Sequence, residues 1–262
     1  MFRYLAIFAI VALGLSGCSE STNPSTPTSF LSFKTGTYIL SDVDVFGKSS
    51  TGTDSVLANY SDSVAVTGSA MVTDSKGNAK NSQLYVKFIQ GAPVDTTSLS
   101  ESSDKSKLYR LYPMAYNITG VGVVDFGSHW TLLYDNASTT WTALQDSVSD
   151  IKATYMGMEL TFNAAVKVNG SKIGTEDLTI NGAAVKTTKV KLNYVIQLYI
   201  SSALGPIPVE PILVNAEYWL AENVGIVKTK QDPSAIKLGP PANQVIPFPG
   251  FVYTPTKFVI AQ

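Results

Sequence analysis

The fold is decided by one long segment, Val185-Lys-Thr-Thr-Lys-Val-Lys-Leu-Asn-Tyr-Val-Ile-Gln-Leu-Tyr-Ile200. Apolar side chains recur at every second position from Val190 to Ile200, and mainly polar side chains lie between them. A period of two is the pattern of a β-strand that buries one face. The length of this run favours a strand that crosses a curved sheet or a barrel wall.

Shorter runs of the same kind cover much of the chain. Strands are predicted at 37–46, 82–90, 108–114, 120–126, 130–134, 212–220, 225–230 and 251–261. Patterns compatible with short helical turns occur at 54–60 and 143–148, and 95–107 has the composition of a long polar loop. The sequence therefore predicts an all-β, mainly antiparallel domain. Its form would be a curved sheet, half-barrel or barrel with at most one or two short helices.

Three short polar steps between these runs predict tight turns. Asn169-Gly170 and Asn181-Gly182 favour type I′ hairpin turns, because both residue types tolerate the positive φ angles that this turn requires. Asp135-Asn136, between two apolar runs, predicts a third connection of the hairpin kind.

The N-terminus has the organisation of an export signal. Arg3 makes its start positive, and residues 4–15 are apolar but shorter than the roughly 20 residues of a membrane-spanning helix. The run ends in Leu15-Ser16-Gly17-Cys18, which resembles the lipobox of bacterial lipoproteins. This resemblance implies cleavage between Gly17 and Cys18, a diacylglyceryl group on the Cys18 thiol, and an acyl chain such as palmitate on the new amine. Several chains on one residue give a stable membrane anchor.

The chain is expected to divide into three parts. Residues 1–17 form the signal peptide, 18–34 form the lipidated cysteine and a Ser/Thr/Pro-rich tether, and 35–262 form one β-rich domain. Ser19 stands where an Asp would resemble an inner-membrane retention signal. The expected location is therefore the outer membrane of the cell envelope, with the leaflet left open.

Composition excludes several classes of function. The formal net charge is −1 and only 15% of the residues are charged, which gives no electrostatic footprint for nucleic acid. The single cysteine lies at the lipobox, so the mature chain is expected to have no disulfide, thiolate metal site or cysteine nucleophile. No dinucleotide or phosphate-binding fingerprint is present, and no cofactor is predicted.

Catalytic and metal-binding candidates are few. His129 is the only histidine, no Gly-x-Ser-x-Gly motif accompanies it, and we interpret it as a strand-edge polar residue beside Trp130. Asp42 and Asp44 share one strand face and could offer oxygen ligands to Ca²⁺, but two solvated carboxylates are the simpler interpretation. We therefore predict no catalytic residues and no metal site.

One segment resembles a known family. Residues 216–228 read Ala-Glu-Tyr-Trp-Leu-Ala-Glu-Asn-Val-Gly-Ile-Val-Lys, and this sequence looks like the closing strand–turn–strand of LolA/LolB-type envelope proteins. With the preceding strand, the resemblance covers 185–230. It implies a curved sheet with an apolar concavity that shields lipid or lipoprotein acyl chains. No residue of the carriers' functional set can be placed on this sequence.

Two proline-rich segments, 204–213 and 239–250, are unusually apolar for loops. Proline fixes φ and removes a hydrogen-bond donor, so both are expected to be stiff and extended. Either they fold back to cap the ends of the barrel, or they form a lid over an apolar cavity or a docking surface. The candidate residues are Ile207, Val209, Ile212, Ile246, Phe248 and Phe251.

These observations support three functional hypotheses. The first is a non-enzymatic, lipid-anchored protein that binds a lipid or another apolar ligand, or chaperones envelope components. The second is a structural or adhesive module with a protein partner in the envelope, supported by aromatics expected at the surface at Tyr109, Tyr112 and Tyr116. The third and most remote is a hydrolase of envelope polymers. Membrane attachment through Cys18 is common to all three.

Overall fold

The computed structural model describes residues 28–31, 34–48, 54–118, 122–155, 158–203, 205–207, 209–239 and 244–261. The strands within these ranges are β1 (Tyr38–Lys48), β2 (Asp54–Thr73), β3 (Ala79–Ile89), β4 (Ala92–Glu101), β5 (Lys107–Ile118), β6 (Gly122–Asp135), β7 (Thr140–Tyr155), β8 (Met158–Ile180), β9 (Ala183–Ser202), β10 (Gly205–Ile207), β11 (Ile212–Ala221), β12 (Gly225–Gln231), β13 (Ser234–Leu238), β14 (Gln244–Phe248) and β15 (Gly250–Val259). Across the same ranges, no helix is long and apolar enough to cross a membrane.

Thirteen of the strands form one antiparallel sheet. Its order is β6-β5-β4-β3-β2-β1-β15-β12-β11-β9-β8-β7, with β10 paired to the end of β9, while β13 and β14 form a separate hairpin. The sheet curls until its two edge strands, β6 and β7, lie side by side, which nearly closes a barrel. The predicted all-β, antiparallel fold is confirmed.

The seam between β6 and β7 is bridged by side chains. The Trp141 indole on β7 donates a 2.8 Å hydrogen bond to the carbonyl oxygen of Leu132 on β6. His129 on β6 lies with Nδ1 2.8 Å from Asp146 Oδ2 on β7 and with Nε2 3.0 Å from the carbonyl oxygen of Phe126. His129 lies on an edge strand, as expected. Its side chain is only 1% exposed, so it is buried in the barrel wall.

The core follows from the alternation of the long strands. Every second residue of β9 from Val190 to Ile200 is buried, as the sequence predicts. Tyr194 lies opposite Val168 of β8 and Val214 of β11, so one inward row continues across three strands. The inward-facing rows of β8, β9 and β11 contain most of the main apolar core, including Phe162, Val166, Leu192 and Leu198.

Several local predictions are wrong. Residues 54–60 and 143–148 belong to strands β2 and β7, and 95–101 belongs to β4 and not to a loop. The two strands predicted at 120–126 and 130–134 are one strand, β6. The Asp135-Asn136 turn exists, but the strands it joins are the two edges of the sheet and not neighbours in its ladder.

The two Asn-Gly steps have different structural roles. Asn181 and Gly182 have φ angles of 54° and 75° and form the turn between β8 and β9, as predicted. Asn169-Gly170 lies in the middle of β8, where Gly170 is directly opposite Trp141. A Cβ atom at Gly170 would overlap Cε2 and Nε1 of the Trp141 indole. This glycine therefore makes room for the seam tryptophan and does not form a turn.

We expect Gly170→Ala to lower the free energy of unfolding by about 1–3 kcal/mol, because the added methyl group displaces the Trp141 indole. Denaturant unfolding of the purified variant measures this loss. In a Trp141→Leu background the same change should cost less than half as much, because the overlap is gone. An equal cost in both backgrounds would contradict this account of Gly170.

Candidate ligand cavity

A cavity of about 570 Å³ lies inside the barrel, in the half built by β1–β5, β11, β12 and β15. Its volume is within the range of about 300–1,000 Å³ that is typical of small-molecule sites. The β13–β14 hairpin adds Pro247 and Phe248 to its lining. On β1, β3 and β4 the lining residues alternate along the strand, while β12 contributes consecutive residues from Ile226 to Thr229. The cavity therefore collects side chains from distant parts of the chain.

Much of the cavity wall is apolar. Ile39, Val64 and Leu99 line it from β1, β2 and β4, and Ile226 and Val227 line it from β12. Leu99 and Val227 are also buried in the apolar cores of the barrel. A hydrocarbon chain placed against these side chains would remove apolar surface from water, which is favourable.

One polar cluster in the cavity contains both a cation and the carboxylate that balances it. Lys87 Nζ lies 3.4 Å from Asp62 Oδ2 and donates a 2.6 Å hydrogen bond to the hydroxyl of Tyr253. The Asp62 side chain is fully buried, and this burial raises its pKa although Lys87 opposes the shift. Burial opposes the charge of Lys87, but the Tyr253 hydrogen bond and the nearby Tyr253, Tyr60 and Asp62 groups raise its pKa above the ordinary value.

A second cation, Arg110, has a different environment. Its β5 position faces Leu99 of β4 and Thr131 of β6 in the ladder, and its side chain is half-buried and lines the cavity. Nη1 donates a 3.1 Å hydrogen bond to the Tyr218 hydroxyl, and the guanidinium carbon lies 5.7 Å from the rings of Tyr112 and Tyr218. Nε is shielded from solvent and has no hydrogen-bond partner.

The Arg110 guanidinium remains charged in this setting. Burial opposes its charge, but the phenols of Tyr218, Tyr194 and Tyr112, together with the charge of Asp95, raise the pKa of Arg110 above its ordinary value. None of the ion pairs formed by the described residues includes Arg110. Charges removed from water are normally paired, so a partly buried cation outside every described ion pair is a candidate anion-binding group.

The first proline-rich segment packs onto the main core. Ile207 belongs to β10, Ile212 begins β11, and both are buried, while Val209 is half-buried and packs against the same core. None of the three lines the cavity. The described residues of this segment therefore contribute to the core and not to the cavity wall.

The second proline-rich segment reaches the cavity. Phe248 at the end of β14 and Phe251 in β15 are half-buried and line its wall, together with Pro247 and Pro249. Ile246 lies in β14, and its side chain is outside the described part of the structure.

The predicted lipid site lies outside the described residues, since these begin at residue 28 and so include neither Gly17 nor Cys18. Within the segment assigned to the tether (18–34), Ser29, Phe30 and Leu31 are buried. Glu101 accepts hydrogen bonds from the Ser29 hydroxyl at 2.7 Å and the Phe30 amide at 2.5 Å. These two hydrogen bonds hold Ser29 and Phe30 against β4.

The other candidates from the sequence do not come together in one site. Asp42 is exposed and accepts a hydrogen bond from Ser61. The described residues contain no group of three or more His, Cys, Asp or Glu side chains that could hold a metal ion. Tyr112, expected at the surface, is half-buried in the cavity wall.

The sequence analysis did not identify Arg110 as a site residue. The signal was present: Leu108, Arg110 and Tyr112 are in phase with a period of two. A charged residue in phase with buried neighbours on a strand marks a polar group directed into a core or cavity.

No family model matches the chain, and no curated protein matches it. Among solved structures, it is similar to a protein from Parabacteroides distasonis provisionally classed as a lipoprotein, with 15% sequence identity, a TM-score of 0.41, and coverage of 88% of this chain and 99% of that chain. A protein from Bacteroides fragilis, provisionally described as exported and as having a YmcC-like fold, gives 11% identity, a TM-score of 0.34 and the same coverage.

We expect Lys87→Met to lower the free energy of unfolding by about 3–5 kcal/mol at pH 7, because it leaves the Asp62 carboxylate buried without its cation. The raised pKa of Asp62 means that the folded state binds the proton more tightly than the unfolded state, so stability falls as pH rises through this pKa. Removing Lys87 raises the pKa further and extends this fall to higher pH. Urea unfolding between pH 4 and 8 measures both effects.

Asp62→Asn combined with Lys87→Met should restore much of the loss and remove the added pH dependence. Lys230→Met is the matched control, since its side chain is 48% exposed and pairs with Asp232 at the surface. It should change stability by at most about 1 kcal/mol. A Lys87→Met protein as stable as Lys230→Met at every pH would contradict the buried pair.

Proposed function

We propose that the protein is a lipid-anchored, non-enzymatic protein of the cell envelope, attached to the outer membrane through Cys18, that binds an apolar ligand in its barrel cavity. The observation that carries this proposal is the cavity itself, with a ligand-sized volume and apolar walls contributed by β1, β2, β4 and β12. The lipobox supports attachment to a membrane, which is also a source of apolar ligands.

The proline-rich segment 239–250 supports the same function. Phe248 and Phe251 present aromatic surface to the cavity, and the prolines at 247 and 249 flank Phe248 in the chain. Proline restricts the backbone, so this part of the wall is held in shape with little loss of conformational entropy when a ligand binds. A pre-shaped apolar wall is suited to an alkyl chain.

Blocking the cavity tests the proposal. Thr97 and Thr96 are adjacent on β4, but Thr97 lines the cavity and Thr96 is exposed. Whole protein in bacterial membranes is incubated with a palmitate analogue carrying a diazirine and an alkyne, irradiated, and digested to map labelled peptides by mass spectrometry. Thr97→Trp should reduce labelling of the cavity strands about tenfold or more, because the indole fills the space that the ligand needs.

Thr96→Trp is the matched control, because the same residue change on the same strand faces solvent and should leave labelling unchanged. Equal labelling of wild type, Thr96→Trp and Thr97→Trp would refute ligand binding in the cavity. An absence of cavity labelling in all three would favour the alternative of an interaction module for a protein partner in the envelope.

The anchor has its own test. Cys18→Ser should abolish labelling by an alkyne-bearing palmitate in growing cells and shift the protein from the membrane fraction to the soluble fraction. Ser19→Ala, which leaves the lipobox intact, should keep both properties. Membrane association of Cys18→Ser at the wild-type level would show that the attachment does not depend on acylation of Cys18.

A further inference from the structure

We propose that the cavity takes an amphiphile with a single anionic head group, and that this head group pairs with Arg110. The inference rests on the proposed function and adds the chemical class of the ligand. Three cations line the cavity, and Lys228 lies with Nζ 4.6 Å from the centre of the Trp219 ring. The basis of the inference is the contrast between the other two, Lys87 and Arg110.

Lys87 has its partners within the protein. Its ammonium group is 3.4 Å from the Asp62 carboxylate and 2.6 Å from the Tyr253 hydroxyl, so its charge is compensated without a ligand. A head group that approached Lys87 would meet a charge that the fully buried Asp62 carboxylate already balances. This cation therefore belongs to the wall of the cavity.

Arg110 forms no ion pair with any of the residues that the structure describes. Its contacts are the Tyr218 hydroxyl and the faces of the Tyr112 and Tyr218 rings, and its Nε is shielded from water without a hydrogen bond. Asp95 also lines the cavity, but it is exposed and forms no ion pair with Arg110. The guanidinium is thus held by aromatic groups in a fixed position with donors left for an anion.

The residues around Arg110 indicate the chemistry of the rest of the ligand. Leu99 faces it in the β4–β5 ladder, and Val64, Ile226 and Phe248 belong to the lining of the same cavity. A guanidinium presents parallel N–H donors that match a carboxylate or phosphate with two hydrogen bonds. One anionic group at Arg110 and one hydrocarbon tail along the apolar wall satisfy both parts of the cavity.

The test compares two photoactivatable probes with the same alkyl chain. One is the palmitate analogue with its free carboxylate, and the other is its methyl ester, which has the same tail without the charge. Whole wild-type protein in membranes should be labelled in the cavity about tenfold more strongly by the acid than by the ester. Arg110→Gln should abolish this preference by weakening labelling with the acid, while labelling with the ester stays within about twofold of wild type.

Arg110→Lys guards against a folding defect, because it keeps the charge in place. It should keep a preference for the acid, but a smaller one, since an ammonium group lacks the paired donors of a guanidinium. Thermal unfolding of all variants confirms that the folded protein is compared. Competition by a single-chain phosphate monoester stronger than by palmitate would assign the anion to a phosphate head group and support the proposal.

Equal cavity labelling by acid and ester in wild type and Arg110→Gln would overturn the anionic head group while leaving the apolar ligand intact. Labelling by neither probe, with no effect of Thr97→Trp, would instead remove the proposed function itself. The two failures are therefore distinguishable in one series of samples.

Discussion

The alternation of side chains along register-locked antiparallel strands is the constraint on which the rest of the structure depends. Tyr194 faces Val168 and Val214, and Tyr218 faces Val190 and Thr229, so inward residues meet inward residues across the barrel wall. A slip of one residue would turn an entire row from the core to solvent. Both the packed core and the cavity are consequences of this register.

The two halves of the barrel use the inward rows differently. On β8 and β9 the inward residues are large and apolar, among them Phe162, Leu192 and Ile196, and they fill the interior. On β3 to β5 the inward rows include Lys87, Thr97 and Arg110, whose polar ends cannot be packed against hydrocarbon without partners. The filled half gives the fold its rigidity, and the unfilled half leaves the cavity.

The sequence predicted the features that the alternation of side chains controls. Its predictions were wrong where tertiary contacts overrode local signals. The run from Val190 to Ile200 and the turn at Asn181-Gly182 have strong local patterns, and the structure confirms both. At Asn169-Gly170 the glycine is needed for the Trp141 indole across the ladder, which no local rule reveals. The sequence pattern marks Arg110 as a charged residue in phase with apolar neighbours. Whether its side chain meets an ion-pair partner depends on strands far away in the sequence.

The proposed role of Arg110 in ligand binding agrees with its surroundings in the cavity, where Lys228 and Asp95 also line the wall and Asp95 forms no ion pair with it among the described residues. The carboxylate of Asp62 is balanced by Lys87. Arg110 adds a further positive charge whose described contacts are phenol groups and not a carboxylate. An apolar residue of similar size would avoid the desolvation of this cation, since replacing buried charges by well-packed hydrophobic residues is often stabilising. A group that costs stability and faces a cavity is the kind of feature that proteins concentrate at binding sites.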